Sequence, residues 1–293
     1  MMKVFKSEQA RSKVLASYDA LIAMWGVETA SHQVPSRWGI THCLTAGDKA
    51  NPPLVLLHGV GDNSAVMWAL NMKELSQRFF CIAVDTIGGP GKSVPNEQYV
   101  KGAFRQTEWL SGILDHFGYE RVFMSGVSNG AYMAYHYTTV HPERIRRTMC
   151  LEGGIVTSPV KAMISTLLLM FPEILAPTER NMHRIVRRLI APQSDVFDRH
   201  PLLADHLVLL MKSHNQGAMF PHKVKTYDEA QGAAVKDKLF FLLGDQFRVV
   251  TKHAADLIRR GQYAHRIMEL TGHGINHERP EAVHEEMFRF LTE

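Results

Sequence analysis

Ser128 lies within Gly126-Val127-Ser128-Asn129-Gly130, two residues from a glycine on either side. A serine held on a sharp strand-to-helix turn of this kind is a nucleophile for acyl transfer, and the flanking glycines let neighbouring backbone pack close. The bare motif recurs by chance. Its placement makes it specific, because it follows Arg121-Val122-Phe123-Met124 and precedes the helical pattern Gly130-Ala131-Tyr132-Met133-Ala134-Tyr135. A nucleophilic serine needs a general base, and Thr271-Gly272-His273-Gly274, on a loop near the C-terminus, offers His273. It also needs two N–H donors aimed at the developing oxyanion. His58-Gly59-Val60-Gly61-Asp62 directly follows the apolar run Leu54-Val55-Leu56-Leu57. The expected donors are therefore the backbone N–H groups of Val60 and of Asn129, the residue after the nucleophile.

Other chemistry-bearing residues read more plainly. His277 stands four residues after His273, but no third ligand is near and neither His277-Glu278-Arg279 nor His284-Glu285-Glu286 gives HExxH, so no metal is expected. Lys92-Ser93 lacks the glycine spacing of a phosphate-binding loop. Met163, Met170, Met182, Met211 and Met219 read as core and adaptable pocket lining. His200, His206, His214 and His222 lack ligand spacing and read as surface residues or part of a covering segment, while Arg180, Arg184, Arg187 and Arg188 are spaced as one solvated helix face.

The elements that must position Ser128 and His273 follow from apolar patterning. Residues 7–25 read as an amphipathic helix and 33–46 as a pair of strands. Buried strands are expected at 54–57, 80–84, 121–124, 145–151, 239–243 and 267–270, with helices at 64–77, 102–117, 129–141, 249–260 and 280–291. Such alternation implies a mostly parallel central sheet with helices on both faces. From 154 to 235 no strand is convincing, and prolines cut the stretch into short helices. It reads as a helical cap over the sheet's C-terminal edge, inserted between core segments 1–153 and 236–293. Its Leu167, Leu168, Met170 and Met211 are expected to roof the pocket.

The chain of 293 residues carries a net charge of +4, too little to imply a nucleic-acid partner. Cys43, Cys81 and Cys150 are odd in number and far apart, which points to a reducing cytoplasm. The first residues, MMKVFKSEQARSK, lack the apolar stretch of a secretory signal, and the most apolar run, 162–171, is about half the length of a membrane span. No membrane association is expected, and the oligomeric state is not written in the sequence.

Taken together, these motifs resemble the α/β-hydrolase fold superfamily, in particular carboxylesterases of the Bacillus type, over nearly the whole chain. Asp85-Thr86-Ile87-Gly88-Gly89-Pro90-Gly91-Lys92-Ser93 resembles the family's D-x-x-G-x-x-x-K-S loop. Leu242-Leu243-Gly244 resembles its strand leading to the triad acid, and Gly272-His273 with Glu278-Arg279-Pro280-Glu281 its C-terminal signature. The resemblance implies an esterase with a Ser–His–acid triad, a small-molecule ester substrate and no cofactor. One position departs from it: the family's acid falls three residues after the glycine, where this chain has Phe247. Asp245, the nearer to the expected place, and Glu152 are the named alternatives for the acid, with another residue or no acid at all also open. Other reactions on the same scaffold (C–C bond hydrolysis, lactone hydrolysis, perhydrolysis) stay open, as does a non-catalytic ligand-binding receptor, which the residue at 247 favours.

Overall fold

The computed structural model describes residues 2–246 and 252–292. Strands β1 (Ala30–Ser36), β2 (Gly39–Ala46), β3 (Pro53–Leu57), β4 (Phe80–Val84), β5 (Val94–Pro95), β6 (Val122–Val127), β7 (Ile145–Leu151), β8 (Leu239–Gly244) and β9 (Ala264–Met268) form one sheet. Their order is β1-β2-β4-β3-β6-β7-β8-β9, with β5 paired to β2. β1, β2 and β5 run antiparallel to their neighbours, and from β4 through β9 every pairing is parallel.

Every residue of β3, β4, β6 and β8 is buried, because helices cover both faces of a parallel sheet. Successive side chains divide between the two sides as the pleat requires. Leu54, Leu56, Cys81, Ala83, Phe240 and Leu242 join the core beneath helices α1 (Glu8–Met24) and α8 (Pro280–Thr292). Val55, Leu57, Ile82 and Val84 face helices α2 (Gln106–His116) and α3 (Asn129–Val140), while Phe241 and Leu243 pack with α3 and α7 (Lys252–Arg260).

Most expected elements fall within a residue or two of their place. The stretch 64–77 is two single turns, Ser64–Met67 and Met72–Leu75, rather than one helix. The last strand lies earlier than expected, at 264–268 instead of 267–270. It is the edge strand, and Ala264, His265 and Arg266 are exposed, so an apolar run does not mark it. The expected helix start at 249 lies outside the described residues.

Between β7 and β8 the chain leaves the sheet for helices α4 (Pro159–Met170), α5 (Glu179–Arg187) and α6 (Pro201–Ser213). α6 packs on α1 through Leu203, Leu207 and Leu210 in the same core as Val14, Tyr18 and Leu21. Three of the histidines that read as surface residues or part of a covering segment are buried or half-buried within this excursion and fasten it. His206 Nδ1–H donates to Ser17 and its Nε2 accepts from Asn63 at 3.0 Å. His214 donates to the Gly88 carbonyl, and His222 to the Ile87 carbonyl while accepting from Gln106. Burial pushes all three down to about 4, so each is a neutral tether at pH 7. No helix among the described residues is long and apolar enough to cross a membrane.

Candidate active site

β6 ends at Val127 and α3 opens at Asn129, so Ser128 alone makes the turn, at φ 56° and ψ −116°. Left-handed backbone at a non-glycine residue costs on the order of 1–3 kcal/mol and persists only where the surroundings impose it. Here they do. A Cβ on Gly126 would stand 2.3 Å from the Gly130 carbonyl carbon, and one on Gly130 would stand 2.3 Å from the Leu57 carbonyl oxygen. Both glycines are therefore the condition for α3 to pack so close to β3 and β6. The Ser128 N–H donates to Leu151 O at 2.8 Å, fixing the turn to β7.

The loop after β3 lies against this turn. His58 is fully buried, donating from Nδ1 to Gly59 O at 2.8 Å and accepting at Nε2 from the Thr86 N–H at 2.8 Å. It shapes the loop and is not a free base. Asn129 is the first residue of α3, so its N–H has no helical acceptor. Neither it nor the Val60 N–H meets a backbone acceptor among the described residues, and both residues line the same cavity as Ser128. The Asp85 loop braces this region. Asp85 accepts from His42 Nδ1, the Ser64 N–H and the Lys92 N–H. Burial opposes its charge, but these contacts with His42 and Lys92 hold the carboxyl well below the usual range. A Cβ on Gly91 would come within 2.5 Å of that carboxylate.

The two alternative acids separate cleanly. Glu152 follows β7 directly at φ 50°, with its side chain nearly inaccessible. Its Oε2 accepts from His273 Nδ1 at 3.1 Å, and its Oε1 accepts from the Gly244 N–H. Asp245, the acid favoured on spacing, is turned elsewhere. Its N–H donates to Met268 O and its Oδ1 accepts from the Thr271 N–H at 3.2 Å and from Gln246. Burial would raise its carboxyl, yet these backbone donors keep it lowered, so it braces the loop after β9 and does not touch His273. Phe247 lies outside the described residues.

His273 itself is held by the excursion. Its N–H and that of Gly274 donate to Leu189 O at 2.7 and 3.1 Å. Glu278 clamps the same junction, accepting from the Ala191 and Gly272 N–H groups at 2.8 and 2.9 Å. Sequence reading gave Glu278 only as part of a C-terminal signature, and its two backbone contacts have no sequence signal of their own. His277 points away and donates to Val66 O at 2.9 Å. Among the described residues no three His, Cys, Asp or Glu side chains are placed to hold a metal ion.

The strands β3, β6, β7, β8 and β9 are parallel neighbours, so Val60, Ser128, Glu152, Asp245 and the His273 loop all stand at one edge of the sheet. A cavity of about 680 Å³ opens over Ser128, Asn129, Val60 and Glu152. Its far wall comes from α4 and from Met219, Phe220 and Val224. The roof differs from expectation. Met163, Ala162 and Thr166 of α4 line the cavity, whereas Leu167 and Leu168 are 53% and 67% exposed. At about 100° per residue Leu168 stands well round α4 from Met163, while Leu167 lies one turn beyond Met163 on the same side. Met170 and Met211 pack against the core instead.

Comparison with known proteins places this arrangement. A family model for the alpha/beta hydrolase fold matches residues 52–182. The carboxylesterase YbfK of Bacillus subtilis is 25% identical over 303 aligned positions, covering 98% of this chain and 96% of the relative. Its crystal structure superposes with a TM-score of 0.81 at 23% identity, covering 97% and 98% of the two chains. The naproxen esterase of the same organism superposes with a TM-score of 0.80 at 23% identity, covering 95% and 96%. The chain therefore has the α/β-hydrolase fold and resembles the Bacillus carboxylesterases over nearly its whole length.

Proposed function

We propose that the protein is a serine carboxylesterase that cleaves apolar carboxylic esters through an acyl-enzyme on Ser128. The observation that carries this reading is the Glu152–His273 hydrogen bond at the sheet edge that presents Ser128. Glu152 fixes the imidazole with its proton on Nδ1, leaving Nε2 as the base. In the first half-reaction the Ser128 hydroxyl attacks the ester carbonyl and passes its proton to His273. The Val60 and Asn129 N–H groups hold the oxyanion, and the alcohol leaves with the proton from His273. Water then cleaves the acyl-enzyme by the same route. Ser128 Oγ makes no hydrogen bond with a described residue, and such contacts commonly close only in the substrate complex.

Residues 154–235 act in this reading as the cap that shapes the acyl pocket. The apolar wall of Ile155, Val156, Met163 and Met219 supports medium acyl or aryl esters over acetates. Three buried free cysteines suit a reducing cytoplasm. The receptor alternative rested on the residue at 247, and the Glu152 carboxylate against His273 supports the esterase reading over it.

The test is a chain-length series of p-nitrophenyl esters. Butanoate to octanoate esters should be hydrolysed with higher kcat/KM than the acetate. A folded protein that turns over none of them, or that prefers charged acyl groups, would overturn the reading.

A further inference from the structure

Asp62 is a carboxylate at the reacting centre that neither the triad nor the oxyanion hole employs. Its N–H closes the loop on Gly59 O at 3.3 Å. A Cβ placed on Gly59 would stand 2.7 Å from Asp62 Oδ2 and 3.7 Å from Ser128 Cβ, so the carboxylate and the serine flank the same glycine. Unlike Asp85, Glu152, Asp245 and Glu278, Asp62 has no hydrogen-bond or ion-pair partner among the described residues for its carboxylate. Burial pushes its carboxyl up to about 7, against the opposing charge of His273. Among the described residues no hydrogen bond or ion pair joins the two groups, since the His273 Nδ1 partner is Glu152.

Resting on the esterase reading, we infer that Asp62 orients the hydrolytic water and so selects water over alcohols as the acyl acceptor. The acyl-enzyme ester is attacked by a water held between the two groups. One of its protons moves to His273 Nε2, while the other O–H is accepted by Asp62 and stays on the new carboxylic acid. The water oxygen bonds to the acyl carbon, the bond from that carbon to Ser128 Oγ breaks, and His273 returns its proton to Ser128. An alcohol has a single O–H, which His273 takes, leaving Asp62 nothing to accept. Asp62 thus favours deacylation by water and leaves acylation by the ester largely alone.

The experiment is a partition measurement with p-nitrophenyl butanoate in buffer containing methanol, near pH 8.5, where the carboxylate only accepts. Butanoate and methyl butanoate are quantified together for wild type, Asp62→Ala and Asp62→Asn. The ratio of hydrolysis to methanolysis should fall roughly tenfold in Asp62→Ala, the scale of one lost hydrogen bond to a charged group. It should fall less in the near-isosteric Asp62→Asn, which retains a weaker acceptor and protects the test against misfolding of the alanine variant. A burst of p-nitrophenol should also appear in Asp62→Ala, because deacylation becomes limiting. A ratio unchanged in whichever of the two variants folds would overturn the role of Asp62, whatever happens to the overall rate. Failure of the wild type to release either product would instead sink the esterase reading itself.

Discussion

The sheet edge and the helical excursion above it are held together by different physics. At the edge, Ser128, Glu152 and the loop carrying His273 are pinned by backbone contacts between adjacent strands, with Ser128 and Glu152 both in left-handed backbone. In the excursion α4 has no buried residue, and Val160, Ile164, Leu167, Leu168 and Phe171 stand 48–67% exposed. The lower half of the excursion is tied down by α6 and by neutral histidines. On the proposed reading, chemistry belongs to the edge, where geometry is over-determined, and pocket shape to the excursion, where it is not.

The largest effect that would sharpen this contrast lies at the acid. Glu152→Gln should cut kcat by up to roughly 10⁴-fold near neutral pH with the fold intact, since the glutamine amide no longer enforces the right imidazole tautomer. Asp245→Asn should leave kcat within about threefold, because Asp245 braces backbone only. Circular dichroism with steady-state kinetics checks both, and the reverse pattern would move the acid to the loop after β8.

A smaller effect concerns acid. His206, His214 and His222 sit at about 4, below their ordinary 6.5, so folding disfavours their protonation. No penalty exists above pH 6.5, and a penalty on the folded state grows as the pH falls from 6.5 towards 4. Tm should decline across that window, and His214→Gln should flatten the decline when Tm is followed against pH. A variant as acid-sensitive as the wild type would remove His214 from the tethers that titrate.

The smallest effect is expected on α4. Leu167→Ser and Leu168→Ser should change stability by no more than about 0.5 kcal/mol, since both side chains already face solvent. Met163→Ala, on the pocket stripe, should shift KM and chain-length preference instead. Thermal melts and the ester series read these separately, and a loss of kcat at Leu167 would mean that α4 is not confined to shaping the pocket.

What sequence made legible follows the same division. β3, β4, β6 and β8 are buried on both faces, so apolar runs mark them, and the loops that carry Val60 and Ser128 follow from their ends. β9 lies earlier than the expected 267–270 because this edge strand exposes Ala264, His265 and Arg266. The choice between Asp245 and Glu152 turns on side-chain direction at two neighbouring strand ends. Asp245 is drawn to the Thr271 N–H, while a Cβ on Gly153 would meet Ser128 O at 2.4 Å, so a glycine after Glu152 lets the chain beyond β7 pass this close to Ser128. Asp62 carries no local signal, since its surroundings are assembled from separate strands.

The most direct test of the triad at this edge is covalent labelling with a fluorophosphonate, mapped by peptide mass spectrometry. One adduct per chain should form on Ser128, and His273→Ala should slow its formation by several orders of magnitude. Labelling at another residue, or a folded protein that is not labelled at all, would contradict Ser128 as the nucleophile that Glu152 and His273 serve.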